Sequence, residues 1–181
     1  MLFWVHAAVA YLLYRLILLV AGAGRLTGGA VLALISGALL PDIVDKPLSF
    51  TISSLPSRSL SHSIFTTVLV VVIAVYLARR LNRLEVGAAY TVGYLSHLGA
   101  DLVDYLFIPQ ETLLFLFWPL VTDYHHIDTV HDLLALVSPT PYVLVQTMAT
   151  IFGIVLWIND GKPGYHMTVR SFTEWRIRHS N

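Results

Sequence analysis

Long apolar runs recur along the whole chain, and short stretches rich in glycine, proline and serine separate them. The five longest runs lie at about residues 2–21, 26–40, 63–80, 86–108 and 142–158. Their lengths approach the ~20 apolar residues that a helix needs to cross a ~30 Å hydrocarbon core. The pattern therefore predicts an all-α fold, a polytopic membrane bundle of about five transmembrane helices that forms one integral membrane domain over residues 1–181.

Composition supports a membrane protein whose main partner is the lipid bilayer. The chain is 56% hydrophobic and 12% charged, whereas an average soluble domain has roughly 25% charged residues. The net charge is zero and the polar loops hold few basic residues, which argues against a nucleic-acid-binding surface. The chain has no cysteine, so any metal ion must be held by histidine, aspartate or glutamate.

The basic residues predict the orientation of the bundle, because lysine and arginine are enriched on the cytoplasmic side of membrane proteins. Lys46 and Arg58 fall on one side, and the other nine of the 11 basic residues fall on the opposite side: Arg15, Arg25, Arg79, Arg80, Arg83, Lys162, Arg170, Arg176 and Arg178. We expect a plasma or inner membrane protein with its N-terminus outside. A short outer helix is expected at about 113–121 and a cytoplasmic tail at 159–181.

The fourth run carries three polar residues inside a predicted span. It contains the stretch GYLSHLGADLVDY, with His97, Asp101 and Asp104. Spacings of four and seven residues place these side chains on one face of a helix. Counted from a cytoplasmic end near Val86, they lie ~16, ~22 and ~27 Å into the core, which is its outer half.

Three other segments contribute polar residues at the same predicted depth. His6 lies near the outer end of the first helix, and His62 lies ~25 Å from the cytoplasmic end of the third. The second and third runs are short, and both helices are expected to end at an intramembrane polar site. Pro41 is expected to break the second run inside the core, which leaves Asp42 and Asp45 there. Seven histidine and aspartate residues are therefore expected in one layer.

This layer predicts a metal site. Carboxylates in a hydrocarbon core are costly unless they are paired or coordinated, and Lys46, Arg58 and the histidines are the bases expected nearby. Divalent cations would supply the missing positive charge. Three histidines with three or four aspartates suit one or two such ions, zinc first and manganese or iron next.

Four motifs resemble a known family. GALLPDIVDKP, RSLSHS and GYLSHLGADLVDY follow an N-terminal helix that bears a histidine. In this order they are similar to the YdjM-like membrane-bound metal-dependent hydrolases, and FLFWPL resembles the aromatic and proline segment of that family. The resemblance covers about residues 1–120. It implies this metal-binding set, with Asp45 as a further ligand: His6, Asp42, His62, His97 and Asp101.

Together these observations predict a membrane-embedded metal-dependent hydrolase. Its expected substrate is a phosphoester of a lipid or another amphiphile, cleaved by a metal-activated water near the outer face. Arg58 is the candidate for gripping phosphate through its planar guanidinium, and pairing with an outer-loop aspartate is an equal alternative. Either Asp45 or Asp104 is expected to act as a base or to orient a ligand.

Two other functions stay open on the sequence. Intramembrane histidines and aspartates also build ion or proton pathways, although the inner halves of the predicted helices offer little polarity beyond Ser36 and Thr91. A metal ion could also staple the helices together without catalysis, if protein ligands filled every coordination position.

Two further segments carry weaker signals. TDYHHIDTVHDLL predicts either a solvated amphipathic lid or a metal-recruiting loop, and its histidines and aspartates are Asp123, His125, His126, Asp128, His131 and Asp132. SFTEWRIRHS, at residues 171–180, predicts a short cytoplasmic helix at anionic headgroups or an unordered tail.

Overall fold

The computed structural model describes residues 1–24, 26–52, 54–107, 112–123 and 140–169. In these ranges the regular structure is helical, and no strand occurs there. The long helices are α1 (Phe3–Val20), α2 (Gly28–Thr51), α3 (Ile64–Arg80), α4 (Leu84–Phe107) and α5 (Pro141–Asn159). The predicted all-α fold is confirmed, and each observed helix starts within one or two residues of its predicted start.

Three of these helices, α1, α2 and α5, are long and apolar enough to cross a membrane. Large apolar side chains such as Leu16 on α1 and Phe152 on α5 are exposed on the bundle, which suits contact with lipid rather than water. Helices α3 and α4 do not belong to that group among the described residues. The count of about five crossings therefore stays a prediction.

Polar caps mark where three of the helices begin. Thr27, Ser63 and Thr140 precede α2, α3 and α5, and each side-chain oxygen accepts a hydrogen bond from a backbone N–H of the first turn. A cap of this kind satisfies an otherwise unpaired donor and typically contributes ~1 kcal/mol. Pro141 follows the last of these caps, a position where its missing N–H costs nothing.

Helix α2 continues through two prolines. The prediction that the second helix ends at Leu40 and breaks at Pro41 is wrong, since α2 reaches Thr51. A proline inside a helix removes one hydrogen bond and crowds the preceding turn, typically at ~3 kcal/mol, and packing along α4 offsets this cost here. With 24 residues the helix is ~36 Å long. It is therefore not short, and Asp42 and Asp45 lie within it rather than after it.

The segment after α4 is less regular than predicted. In place of a helix at about 113–121 there is one 3-10 helix, Leu114–Phe117. Pro119 has no N–H with which to extend it. The Ser63 hydroxyl donates to the Trp118 carbonyl at 2.6 Å, so this segment is tied to the start of α3.

Helix α4 packs against α1, α2 and α3, and α1 also packs against α5. Helices α2 and α4 approach each other closely at two glycines. A Cβ on Gly93 would lie 2.1 Å from the Leu34 carbonyl oxygen, and a Cβ on Gly37 would lie 2.3 Å from the Tyr90 carbonyl oxygen. Small residues allow membrane helices this backbone contact, so any larger side chain at either position must push α2 and α4 apart.

A cluster of buried apolar side chains fills the middle of the bundle. We call it the apolar layer, and its members are Ala10, Tyr11, Tyr14, Ala30, Val31, Leu34, Ala38 and Ala89. On α1 it lies between His6 and Arg15. Polar groups therefore occupy the two ends of α1, and the layer separates them.

Candidate metal centre

Seven histidine and aspartate side chains converge at one end of the bundle. They come from α1, α2, α4 and the turn before α3, and each is between 0 and 4% exposed: His6, Asp42, Asp45, His62, His97, Asp101 and Asp104. The three residues from α4 lie on its buried face, as their spacing predicts. The structure thus brings together every histidine and aspartate that the sequence placed in one layer.

Hydrogen bonds orient two of the imidazole rings. His97 Nδ1 lies 2.7 Å from the Ala38 carbonyl oxygen, which can only accept, so Nδ1 carries the proton. His62 Nδ1 lies 2.7 Å from Asp45 Oδ2 and donates to that carboxylate. In neutral rings both Nε2 atoms then present lone pairs, and they are 3.0 Å apart. Two lone pairs at this distance repel each other unless a proton or a metal cation lies between them.

Carboxylate oxygens point at the same space. Asp101 Oδ2 lies 3.3 Å from His62 Nε2 and 3.4 Å from His97 Nε2. This oxygen is buried, and no group in the described part of the chain donates a hydrogen bond to it. Asp42 Oδ1 lies 3.7 and 3.9 Å from the same two nitrogens. Four electron-pair donors therefore surround one position.

His6 adds a fifth donor to this position. Its Nε2 lies 3.7 Å from Asp101 Oδ1, and its ring stacks on that of His97 with 3.9 Å between centroids. Two groups have ligand atoms close enough to hold an ion: His6, Asp42 and His97, and His62, His97 and Asp101. Because His97 Nδ1 is bonded to a carbonyl, His97 has one nitrogen to offer. Both groups therefore describe one centre.

Asp45 lies behind His62 rather than at the centre. Its oxygens accept hydrogen bonds from the Ser59 N–H at 2.9 Å and the Ser61 N–H at 2.9 and 3.0 Å, in addition to the bond from His62. A carboxylate that holds the far nitrogen of a ligating histidine fixes its tautomer and direction. The geometry of Asp45 fits this orienting role better than the role of a ligand.

Asp104 is saturated with donors. Arg58 Nη2 lies 2.7 Å from Asp104 Oδ2 and 3.0 Å from Asp101 Oδ1. The Tyr142 hydroxyl donates to Asp104 Oδ1, and the Met1 amino group contacts Oδ2. Asp104 therefore serves to hold Arg58 against the centre, and it leaves Asp101 as the carboxylate that the centre and Arg58 share.

Aromatic side chains close the centre. Phe115 is buried and lies edge-on to the His62 ring, with 6.2 Å between centroids, and the Arg58 guanidinium lies 5.6 Å from the centre of the Phe115 ring. The Tyr94 hydroxyl donates to the Ser61 carbonyl at 2.6 Å. The FLFWPL segment thus forms a wall of the site, and α4 holds the turn that carries His62.

A second polar cluster lies at the other end of α1, and Tyr11 of the apolar layer reaches it with its hydroxyl. Arg15 Nε lies 2.9 Å from Asp160 Oδ2, and the Tyr11 hydroxyl donates to the same oxygen at 2.7 Å. Burial alone would raise the pKa of Asp160, but the hydrogen bonds from Arg15 and Tyr11 outweigh it and lower the pKa below its usual 3.8. These three side chains link α1 to the end of α5.

Several partners in the site carried no signal in the sequence. The Ala38 carbonyl is a backbone group, and Tyr94 and Tyr142 are typical of buried or interfacial aromatic residues. Tyr142 is separated by 38 residues from Asp104, a pairing that only the fold establishes. The candidate loop residues His125, His126, Asp128, His131 and Asp132 and the predicted helix at 171–180 lie outside the described residues.

Comparison with known proteins identifies a family. No curated protein and no solved structure matches the chain. A family model described as YdjM inner membrane protein matches residues 1–162. The match covers every side chain of the cluster as well as α1 to α5. The chain therefore belongs to the YdjM inner membrane protein family and is an integral membrane protein.

Proposed function

We propose that this protein is a membrane-embedded metal-dependent hydrolase. The observation that carries the proposal is the pair of Nε2 atoms from His62 and His97, 3.0 Å apart, beside the unpartnered oxygen of Asp101. Burying electron pairs against one another is costly without a cation to bind them. Imidazole and carboxylate together are the ligands that zinc, manganese and iron accept in proteins.

The geometry favours one divalent ion rather than two, because both candidate groups use the single available nitrogen of His97. The five ligands would be His6, Asp42, His62, His97 and Asp101. Zinc suits the histidines best, and manganese or iron suits the larger number of ligands. The charges of the site also favour one ion over two. Four buried carboxylates are present with three cations, Lys46, Arg58 and the Met1 amino group, so only a small negative charge is left for a metal ion to offset.

The protein groups have separate roles in this proposal. When bound, a divalent ion activates water and polarises an ester phosphate. Asp45 and the Ala38 carbonyl keep the two imidazole rings aimed at the centre. Asp45 and Asp104 already accept several hydrogen bonds, which suits a positioning role for both rather than the role of a base.

The substrate class follows from Arg58 and from the surroundings. The Arg58 guanidinium touches Asp101 and has the planar fork that matches phosphate oxygens. Its side chain is 14% exposed, so a phosphate must enter a nearly closed site to reach it. A phosphoester on a lipid or another amphiphile suits a site at the end of membrane-spanning helices. The basic-residue pattern predicts that this end lies at the outer face.

The apolar layer argues against the alternative of an ion or proton pathway. A conducting path needs polar groups or water along its length. Here Leu34, Ala10 and Ala38 are fully buried between the centre and the Arg15–Asp160 pair. These three side chains offer no polar group along this part of the described bundle, which does not favour a continuous polar path.

Metal content tests the proposal. The detergent-purified protein, prepared without chelator, is analysed by elemental mass spectrometry together with His97→Ala and Asp101→Ala variants. We expect about one equivalent of zinc, manganese or iron in the parent protein and its loss in both variants, because each removes a ligand. His166→Ala is the matched control, since His166 is exposed and remote from the centre. A parent protein without metal would refute the proposal.

A metal-loaded protein then permits a test of hydrolysis. Phosphoesters of soluble alcohols and of lipids are offered in mixed micelles, with Arg58→Lys as the variant that keeps the charge and loses the planar fork. Cleavage by the parent protein that falls in Arg58→Lys would support phosphate binding by Arg58. A fully loaded protein that cleaves none of them would leave a structural metal site.

A further inference from the structure

One face of α2 carries a cation within an apolar surface. Ile43, Lys46 and Phe50 are spaced by three and four residues and therefore lie on the same side of the helix. Ile43 is exposed, and Phe50 is 77% exposed. We call these three residues the α2 stripe. Since α2 is long and apolar enough to cross a membrane, this exposed surface suits contact with lipid.

Lys46 connects the α2 stripe to the metal centre. Its Nζ lies 2.7 Å from Asp42 Oδ2, while Asp42 Oδ1 lies 3.7 Å from His62 Nε2. The Lys46 side chain is 40% exposed and that of Asp42 is 5% exposed. One carboxylate therefore separates a cation at the surface from the buried donors.

The surroundings of Lys46 are those of a membrane interface. The Phe3 ring centre lies 5.8 Å from Nζ, and the neighbouring Trp4 is exposed. Tryptophan side chains concentrate where headgroups meet acyl chains. Lys46 also lies five residues before the end of α2 at Thr51, which is ~8 Å along the helix axis. Its ammonium group is thus expected near the level of lipid phosphates.

We propose that Lys46 and the α2 stripe form the entrance for the phosphate headgroup of an anionic membrane lipid. The inference rests on the proposed function and names its substrate class. The lipid enters from the bilayer, its phosphate replaces Asp42 as the partner of the Lys46 ammonium, and its acyl chains lie along Ile43 and Phe50. The charges match, since a cation set in an apolar surface complements an anion attached to a hydrocarbon chain.

A simpler role for Lys46 would be to neutralise Asp42 and nothing more. In that case Lys46→Met changes the metal affinity through Asp42 but leaves lipid preference as it was. If Lys46 receives a headgroup, the same substitution removes the preference for anionic lipid while the metal can remain. Measuring metal and lipid on the same sample separates the two roles.

The experiment is native mass spectrometry of the zinc-loaded full chain, released from mixed micelles of phosphatidylcholine and phosphatidic acid. We expect the parent protein and Lys46→Arg to retain one phosphatidic acid, and Lys46→Met to bind it about tenfold more weakly, as for loss of one charge-assisted contact. Lys162→Met is the matched control, because Lys162 follows α5 at the other end of the bundle. It should keep the parent affinity.

Each outcome is informative. Equal retention of phosphatidic acid by the parent and Lys46→Met would overturn the inference, and so would an equal loss in Lys162→Met, which indicates unspecific attraction. Inorganic phosphate that displaces the lipid at equal concentration would also overturn it, because the acyl chains would then contribute nothing. Absence of zinc binding would instead refute the proposed function, and it is read from the mass of the protein before any lipid is added.

Discussion

The two ends of α1 hold polar clusters of opposite character. At the C-terminal end of α1, the Asp160 carboxylate accepts hydrogen bonds from the Arg15 guanidinium and the Tyr11 hydroxyl. Both charges of this cluster are therefore paired within the protein. At the N-terminal end of α1, lone pairs point toward one another from three side chains, His62, His97 and Asp101. Both clusters consist of polar groups in a membrane protein. They differ in whether each polar group finds a partner of opposite charge or a hydrogen-bond partner within the protein.

The difference separates a structural role from a binding role. A completed pair such as Arg15–Asp160 links two helices and needs nothing further. An incomplete cluster destabilises the fold by the cost of its unpaired buried groups, unless a ligand supplies what is missing. The contrast therefore supports the proposed binding role of the histidine end and a helix-linking role of the Asp160 end.

Removal of the metal should produce the largest effect, and at one end only. Binding to the folded state stabilises it by about 4 kcal/mol when free metal is about 1,000 times Kd. We expect a chelator to lower the melting temperature of the parent protein and of Asp160→Asn, measured by thermal unfolding in detergent. Asp101→Ala should not respond, because it has no metal to lose. A chelator response in Asp101→Ala would contradict this assignment.

A change in the spacing between α2 and α4 should have the second-largest effect on stability and metal binding. Gly93→Ala places a Cβ against the Leu34 carbonyl and should cost about 1–3 kcal/mol of stability, as overpacking does. It should also weaken metal binding by about tenfold, because the displaced α2 moves the Ala38 carbonyl away from His97. The measurements are thermal unfolding and metal competition with a chromophoric chelator.

Two glycines on α4 provide the controls for that prediction. Nothing lies within 4 Å of a Cβ on Gly99, whereas a Cβ on Gly87 would lie 2.3 Å from the Ala78 Cβ, at the opposite end of α4. Gly99→Ala should keep the metal affinity and should keep or raise the stability, by up to about 1 kcal/mol from the higher helix propensity of alanine. Gly87→Ala should lower stability and keep metal affinity. Equal losses of metal affinity in Gly87→Ala and Gly93→Ala would show that the effect is general unfolding.

Loss of the orienting carboxylate should have a similar or smaller effect. Asp45→Asn keeps the shape of the side chain but weakens the hold on His62 Nδ1. Substitutions of such outer partners typically cost 10–100-fold in metal affinity. We expect a loss near the lower end of that range, about tenfold, by metal competition, because the amide oxygen of asparagine can still accept the Ser59 and Ser61 hydrogen bonds. Asp160→Asn should bind metal like the parent protein. Unchanged affinity in Asp45→Asn would remove Asp45 from the site.

The smallest effect should be the pH dependence of the Asp160 end. Because the folded pKa of Asp160 is lowered below its usual 3.8, its stabilisation is complete above about pH 3.8 and is lost as pH falls through the folded pKa. Arg15 is 32% exposed, so the contribution is about 1 kcal/mol or less. Parent and Asp160→Asn melting temperatures, compared from pH 7 to 3, should converge at the acidic end. A constant difference would contradict the linkage.

Much of the candidate centre was predictable because helical spacing is regular. The offsets of His97, Asp101 and Asp104 place them on one buried face, and counting along the helices brought His6 and His62 to the same end. Those inferences needed only the rise per residue and the length of each apolar run. Neither depends on which neighbours the helices have.

The errors and omissions come from tertiary contacts. The local cost of Pro41 predicts a helix end at this residue, and the contact of α2 with α4 overrides that cost. The Arg15–Asp160 bond joins residues 145 positions apart, so no local pattern contains it. The sequence shows that Arg15 is polar within an apolar run, and the structure shows which partner it finds.

The bond from His97 to the Ala38 carbonyl has a consequence for the mutational map of the protein. Every residue type supplies the same backbone carbonyl at position 38, so no change of side-chain chemistry there can delete this acceptor. Substitutions at Gly37 and Gly93 would instead lengthen this bond, because a side chain at either position pushes α2 and α4 apart. Neither glycine carries a functional side chain. In a saturation mutagenesis screen for metal-dependent function, we expect these two inert positions to tolerate fewer substitutions than many polar ones.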